Sequence, residues 1–158
     1  MGDPKLVART GASPAVVLVV EDDPSVRDLL VRGLSVHLTV LPVEDNQAAW
    51  ELLQRIARPA VLLLDVMTPR LDGFSLARRL KAEEKLRDIP IVFLTARGGA
   101  RDVAESIQSG ARAYITKPFK LAAVIEKVGK LAGVVVPAAP RRESMPPPPA
   151  LPPRSTRS

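Results

Sequence analysis

At 158 residues and 46% hydrophobic content, the chain carries enough apolar material for one compact domain plus tails. Its formal net charge of +6 invites an anionic partner, but from Ala15 to Val136 there are 17 Lys and Arg against 15 Asp and Glu, so the excess lies toward the ends and argues against a broad basic face for DNA. The absence of cysteine excludes disulfides and thiolate-held metals and fits a reducing compartment.

Residues 1–14 read as a flexible N-terminal segment. The first β-rich run, Ala15 to Val20, is far shorter than the roughly 18 residues a membrane span needs. It ends in "EDD" with no small-residue cleavage site, so neither a span nor a signal peptide is expected, and the expected location is cytoplasmic. A helical pattern follows, with Val26, Leu29, Leu30 and Leu34 on one face. The connection "GLSVHLTV" lacks the glycine that often closes a helix, so this corner is expected to be distorted. It holds His37, the only histidine, which reads as a surface or packing residue.

A second strand is predicted over Leu38 to Leu41, then a helix with Ala49, Leu52, Leu53 and Ile56 on its apolar face. The third strand, Ala60 to Leu64, is wholly apolar, as suits a strand covered on both sides. A helix over Phe74 to Lys85, a strand over Pro90 to Thr95, a helix over Ala100 to Ser109 and a strand over Ala113 to Thr116 follow. A last helix carries Leu121, Val124, Ile125, Val128 and Leu131 on one face. Strands alternating with helices predict parallel pairing through right-handed crossovers. The fold class is α/β: a doubly wound, five-stranded parallel sheet flanked by five helices, forming one domain over residues 15–133.

Residues 134–158 read as a disordered Pro/Arg-rich tail with polyproline II character, since eight of the last 22 residues are proline. Pro149, Pro152 and Arg154 match a PxxPxR groove-ligand pattern, which basic proline-rich segments produce by chance. No DNA-binding or other effector domain is readable in this segment.

Ligand chemistry in open parallel sheets gathers at the carboxyl ends of the strands. There the chain places Glu21, Asp22 and Asp23 after the first strand, Asp65 after the third, Thr95 at the end of the fourth and Lys117 after the fifth. Taken singly, such residues are ordinary turn, cap or surface residues. Together, carboxylates sharing one crevice repel unless a cation joins them, and an oxygen-only site suits Mg²⁺ or Mn²⁺. A divalent ion and a lysine would then hold a phosphoryl group while an aspartate attacks phosphorus to form an acyl phosphate.

Four segments carry a family resemblance: "VVLVVEDDP", "LLLDVMTPRLDG", "IVFLTARGG" and "AYITKPF", with Thr95 30 and Lys117 52 residues after Asp65. In order and spacing the chain resembles the receiver domain of two-component response regulators, stand-alone and similar to chemotaxis regulators. The resemblance implies a flavodoxin-like strand order 2-1-3-4-5, Asp65 as phosphoacceptor, Asp22 as direct metal ligand, Glu21 acting through water, and Met67 lending its backbone carbonyl. It implies that Lys117 pairs with the phosphoryl group, that Thr95 moves to bond it, and that Tyr114 swings inward behind the threonine. Asp23 reads as a helix cap. Ala96, Met67 and Arg97 would flank the phosphate and govern access to it, and the Lys117-Pro118 bond resembles one that is cis in the family.

Gly73 reads as permitting close packing where the next helix begins, and Pro69 as stiffening the turn before it. Asn46 stands where the family commonly has glycine and reads as a residue tolerating left-handed backbone. The two glycines of "RGGA" read as loosening the switch loop. The function implied is a single-domain response regulator, a signalling protein rather than an enzyme, that accepts phosphate from a sensor histidine kinase or histidine phosphotransfer protein. Its output would be docking of a downstream protein on the face of helix 4, strand 5 and helix 5. A phosphorelay shuttle and a phosphate-independent interaction module are the alternatives.

Overall fold

The computed structural model describes residues 15–136, so the readings for residues 1–14 and for residues 137–158 of the tail lie outside the described residues. Strands and helices alternate as β1 (Val16–Val20), α1 (Pro24–Leu34), β2 (Thr39–Val43), α2 (Asn46–Leu53), β3 (Val61–Leu64), α3 (Gly73–Ala82), β4 (Ile91–Thr95), α4 (Ala100–Gln108), β5 (Ala113–Thr116) and α5 (Leu121–Ala132). All neighbouring strands are parallel, in the order β2-β1-β3-β4-β5. The doubly wound sheet is therefore as expected, and its winding reverses between β1 and β3, where a crevice opens.

Side-chain alternation assigns each central strand to two cores. Leu18, Leu62, Leu64, Ile91 and Phe93 pack with α2 and α3 through Ala49, Leu53, Phe74, Leu76 and Leu80. Val17, Val19, Leu63, Val92 and Leu94 pack with α1 and α5 through Leu30, Leu34, Val124 and Val128. The four residues of β3 are at most 1% exposed, which makes it the most rigid support available for whatever follows Leu64.

Three helices start immediately after the carboxyl end of a strand or its loop, and each is capped by an aspartate. Asp23 accepts the Ser25 and Val26 N–H groups at 2.9 and 3.4 Å, Asp45 accepts Ala48 N–H at 2.8 Å, and Asp72 accepts Ser75 N–H at 2.9 Å. Asp23 is thus the cap expected of it. Glu21, Asp22 and Asp65 cap none of these helices.

Several local expectations change. Leu29 is 45% exposed although it shares the apolar pattern of α1, because Leu30 and Leu34 already fill the space beneath that helix. The corner after α1 is regular without a glycine: Ser35 N–H bonds Val31 O at 2.9 Å, and the His37 and Leu38 N–H groups both reach Leu34 O, at 3.1 and 2.9 Å. Strand β2 begins one residue later than predicted and runs through Pro42 to Val43, with Pro42 opposite Val19. It lies at the sheet edge, where a proline is tolerated. Helix α3 stops at Ala82, because Glu83 turns to extended backbone. Helix α5 closes at Gly133, whose left-handed φ of 77° ends the helix.

Candidate functional site

The pairing of Val20 with Leu64 brings the ends of β1 and β3 side by side, so Glu21 and Asp65 leave the sheet together. Asp65 N–H completes the ladder on Val20 O at 3.2 Å, and Glu21 N–H does so on Val43 O at 3.1 Å. Both side chains are buried, at 5% and 1% exposure, while Asp22 is exposed above them. One carboxylate oxygen from each of the three lies within 4.8 Å of the others.

Lys117 enters this cluster from the end of β5, its own N–H bonded to Thr95 O at 2.9 Å. Its ammonium donates to Glu21 Oε1 at 2.8 Å and to Asp65 Oδ2 at 3.2 Å. Glu21 Oε2 accepts Asp23 N–H, and Asp65 Oδ1 accepts Met67 N–H, each at 3.0 Å. Burial raises the Glu21 carboxyl above its ordinary value, against the pull of Lys117 and the Asp23 amide. Burial opposes the Lys117 charge too, but the Glu21 hydrogen bond and the Asp65 and Glu21 charges outweigh it and hold the ammonium above its ordinary value.

Three carboxylates against one ammonium leave two negative charges in excess. A divalent cation restores the balance, and three convergent oxygen donors, one of them open to solvent, are the donor set that Mg²⁺ takes. The residues present therefore fit such an ion.

The fourth strand supplies Thr95, fully buried, whose Oγ1 accepts Arg97 N–H at 3.3 Å and has no bond to the acidic cluster. Ala96 is small and exposed beside it. Arg97 reaches across the mouth of the site: Nη1 lies 3.4 Å from Met67 Sδ, Nη2 pairs with Asp102, and the guanidinium carbon is 6.0 Å from the Phe74 ring centre. Met67 itself is 56% exposed. Tyr114 donates its hydroxyl to Arg97 O and sets its ring edge-on to Phe93, with centres 6.2 Å apart. The structure thus joins Glu21, Asp22, Asp65, Lys117 and the Met67 amide in one cluster and puts Thr95, Arg97 and Tyr114 in an adjoining one. The Lys117-Pro118 bond is cis.

Two glycines matter through close approach. A Cβ on Gly73 would lie 2.8 Å from Asp65 O and 2.9 Å from Val66 Cα, which bears out the close packing expected there. A Cβ on Gly98 would lie 2.8 Å from Thr116 Cγ2, so this glycine lets the switch loop press on β5.

Asn46 corrects the sequence reading most. Its backbone is not left-handed, because Arg70, at φ 77°, is the only non-glycine residue with positive φ among those described. Asn46 opens α2 fully buried, and the two hydrogens of its Nδ2 are shared among three acceptors, Asp65 O at 2.9 Å, Thr68 Oγ1 at 2.9 Å and Leu71 O at 3.1 Å. Thr68 and Arg70, which took no part in the sequence reading, join it: Thr68 Oγ1 also accepts Asn46 N–H at 3.0 Å, and the Arg70 fork grips Asp45 at 3.0 and 3.2 Å. The only signal in sequence was an amide where a glycine is common.

Residues 17–129 match the family model for the response regulator receiver domain. A chemotaxis protein CheY homolog of Campylobacter jejuni is 33% identical over 119 residues, which cover 74% of this chain and 92% of that protein. The DNA-binding dual master transcriptional regulator RpaA of Synechocystis is 33% identical over 120 residues, 73% of this chain, but the chain spans only 48% of that regulator's length. The receiver domain of the sensor histidine kinase PA1611 from Pseudomonas aeruginosa superposes with a TM-score of 0.67 at 32% identity, covering 77% of this chain and 99% of that one, and its structure holds a magnesium ion coordinated in the active-site cleft.

Proposed function

The chain belongs to the response regulator receiver family, and from that premise we propose that it takes a phosphoryl group from a phosphohistidine onto Asp65 and switches conformation to control protein docking. The observation that carries this is the Lys117 ammonium bridging Glu21 and Asp65 beside the Asp22 carboxylate. Glu21, Asp22, Asp65 and the Met67 carbonyl would hold Mg²⁺ or Mn²⁺, which supplies charge neutralisation for the incoming dianion when bound.

Every other part is played by the chain's own residues. The buried β3 support and the Met67 N–H fix the Asp65 carboxylate in one orientation, so attack on phosphorus needs little further ordering. An Asp65 oxygen forms the new P–O bond as the P–N bond breaks, and the imidazole nitrogen keeps the electron pair. No general base is required, because the nucleophile is already ionised. Lys117 exchanges part of its carboxylate pairing for a phosphoryl oxygen.

Thr95 then swings its hydroxyl oxygen about χ1 to donate to the phosphoryl group. That motion removes the acceptor of Arg97 N–H and so disturbs the loop on which Tyr114 rests. Tyr114 follows inward, and the readout is a changed α4–β5–α5 surface, where Ile107 stands 69% exposed. A kinase or histidine phosphotransfer protein is the donor, a protein that docks on this surface is the target, and the cytoplasm is the place of action. No described helix is long and apolar enough to cross a membrane.

The test is intact mass after incubation with acetyl phosphate, with and without Mg²⁺, beside Asp65→Asn. A gain of one phosphoryl group that needs both Mg²⁺ and Asp65 is expected, and a wild-type chain that gains none from acetyl phosphate or from any histidine donor overturns the reading.

A further inference from the structure

We propose that Asn46 is a positioning residue for the loop that carries Asp65 and Met67, acting as an amide splint between α2 and the end of β3. The inference rests on the reading of Asp65 given above and adds a residue to it. Asp65 N–H is the last bond of its strand to β1, and Asp65 C=O is taken over by Asn46 Nδ2. The loop beyond it, residues 66–72, has no strand partner.

Four contacts from one residue then span that loop. Asn46 Nδ2 reaches both ends, Asp65 O at 2.9 Å and Leu71 O at 3.1 Å, and also the middle, Thr68 Oγ1 at 2.9 Å. The same hydroxyl accepts Asn46 N–H and donates to Leu71 O, both at 3.0 Å. Two carbonyl acceptors fix the amide with its nitrogen toward the loop. Met67, whose N–H bonds the Asp65 carboxylate, lies between the residues so held. Outside, Arg70 closes the loop onto Asp45, the neighbour of Asn46, at a left-handed φ that an arginine does not favour unless held.

A purely architectural role explains this less well. The start of α2 is already capped by Asp45. Asn46 Oδ1 is buried with no hydrogen-bond partner among the described residues, so the amide is oriented for its nitrogen alone. Groups behind metal ligands commonly set metal affinity by fixing the ligands' directions.

The test compares Asn46→Ala, Thr68→Val and Thr68→Ser in the full chain, at a temperature where circular dichroism shows each folded. Mg²⁺ affinity is read by calorimetry, and hydrogen exchange of the Met67 amide by NMR. Asn46→Ala and Thr68→Val should each weaken Mg²⁺ binding about tenfold and speed Met67 exchange, and Thr68→Ser, which keeps the hydroxyl, should restore both. Folded variants with wild-type Mg²⁺ affinity and wild-type Met67 exchange overturn the splint. If Asn46→Ala does not fold, Thr68→Val decides, since Thr68 is only half-buried and valine matches its shape. A wild-type chain that binds no Mg²⁺ and takes no phosphoryl group overturns the proposed function instead, and Met67 exchange then still decides the splint.

Discussion

Gly73→Ala is the smallest change that presses directly on the phosphoacceptor segment. The added methyl would stand 2.8 Å from Asp65 O, 2.9 Å from Val66 Cα and 3.0 Å from Phe93 Cε1. Each contact is roughly half an ångström too close, and two of the three partners are backbone atoms that cannot rotate away. Overpacking of this kind costs about 1–3 kcal/mol, and backbone partners place it near 3. Alanine recovers somewhat less than ~1 kcal/mol through helix propensity at the start of α3. The net is a loss of about 2 kcal/mol, which for a domain of this size lowers Tm by roughly 8 °C. Calorimetric melting measures it directly. Phosphoryl uptake should slow in the folded variant as well, because the displaced atom is the Asp65 carbonyl. A second variant in a Phe93→Leu background should regain little, since it relieves only the aromatic contact. A Gly73→Ala chain melting within about 2 °C of wild type would show that the packing yields and that the reasoning is wrong.

Glu21→Gln should raise the melting temperature in EDTA at neutral pH and lower it relative to wild type in saturating Mg²⁺. The folded-state pKa of Glu21 is raised, so the stability it contributes is present below its unfolded pKa and is lost as pH rises through the folded one. Melting from pH 4 to 8 in EDTA should show that decline in wild type only, while Mg²⁺ at a hundred times its Kd returns about 2.7 kcal/mol to the wild type; a variant no more stable than wild type in EDTA refutes the burial argument. Lys117 has a raised folded pKa as well, so its contribution persists through neutrality and is lost only as pH rises into the alkaline range, and Lys117→Met should flatten that alkaline decline in a pH–melting series. Leu63→Ala, at a 1% exposed site in the α1–α5 core, should cost about 2–5 kcal/mol in chemical denaturation. Arg97→Ala should shorten the lifetime of the acyl phosphate several-fold by uncovering the site beside Met67, followed by mass spectrometry after removal of the phosphodonor.

The readable parts of this chain were those that local chemistry fixes. Wholly apolar β3, the Asp23 cap of α1, and an acid, a hydroxyl or a lysine at a strand end all follow from composition within a few residues. The sheet's carboxyl edge then collects Glu21, Asp65 and Lys117 without further information. The opening of α2 was not readable in the same way. The bonds of Asn46 join residues 19 to 25 positions away, and no local propensity marks an amide for such a task. Nor did periodicity show that Leu29 points outward, since the α1 pattern offers more apolar residues than its contact with the sheet can cover. The meeting of Arg97 with Met67, Asp102 and Phe74 depends on how two loops approach across the sheet end, which spacing does not encode.

Pro42 has a consequence for how copies of this protein avoid one another. In a parallel strand the N–H and C=O of a residue point to the same side. Thr39 N–H bonds Ala15 O and Val43 O accepts Glu21 N–H, so Val40 and Pro42 direct their backbone groups away from the sheet. A second strand arriving at β2 would find one outward donor, that of Val40, where an ordinary edge of this length offers two. The free margin of the sheet is thereby made a poor template for strand addition and for the aggregation that follows from it. A Pro42→Val chain should scatter more light on prolonged concentration, with its fold and its Mg²⁺ affinity unchanged.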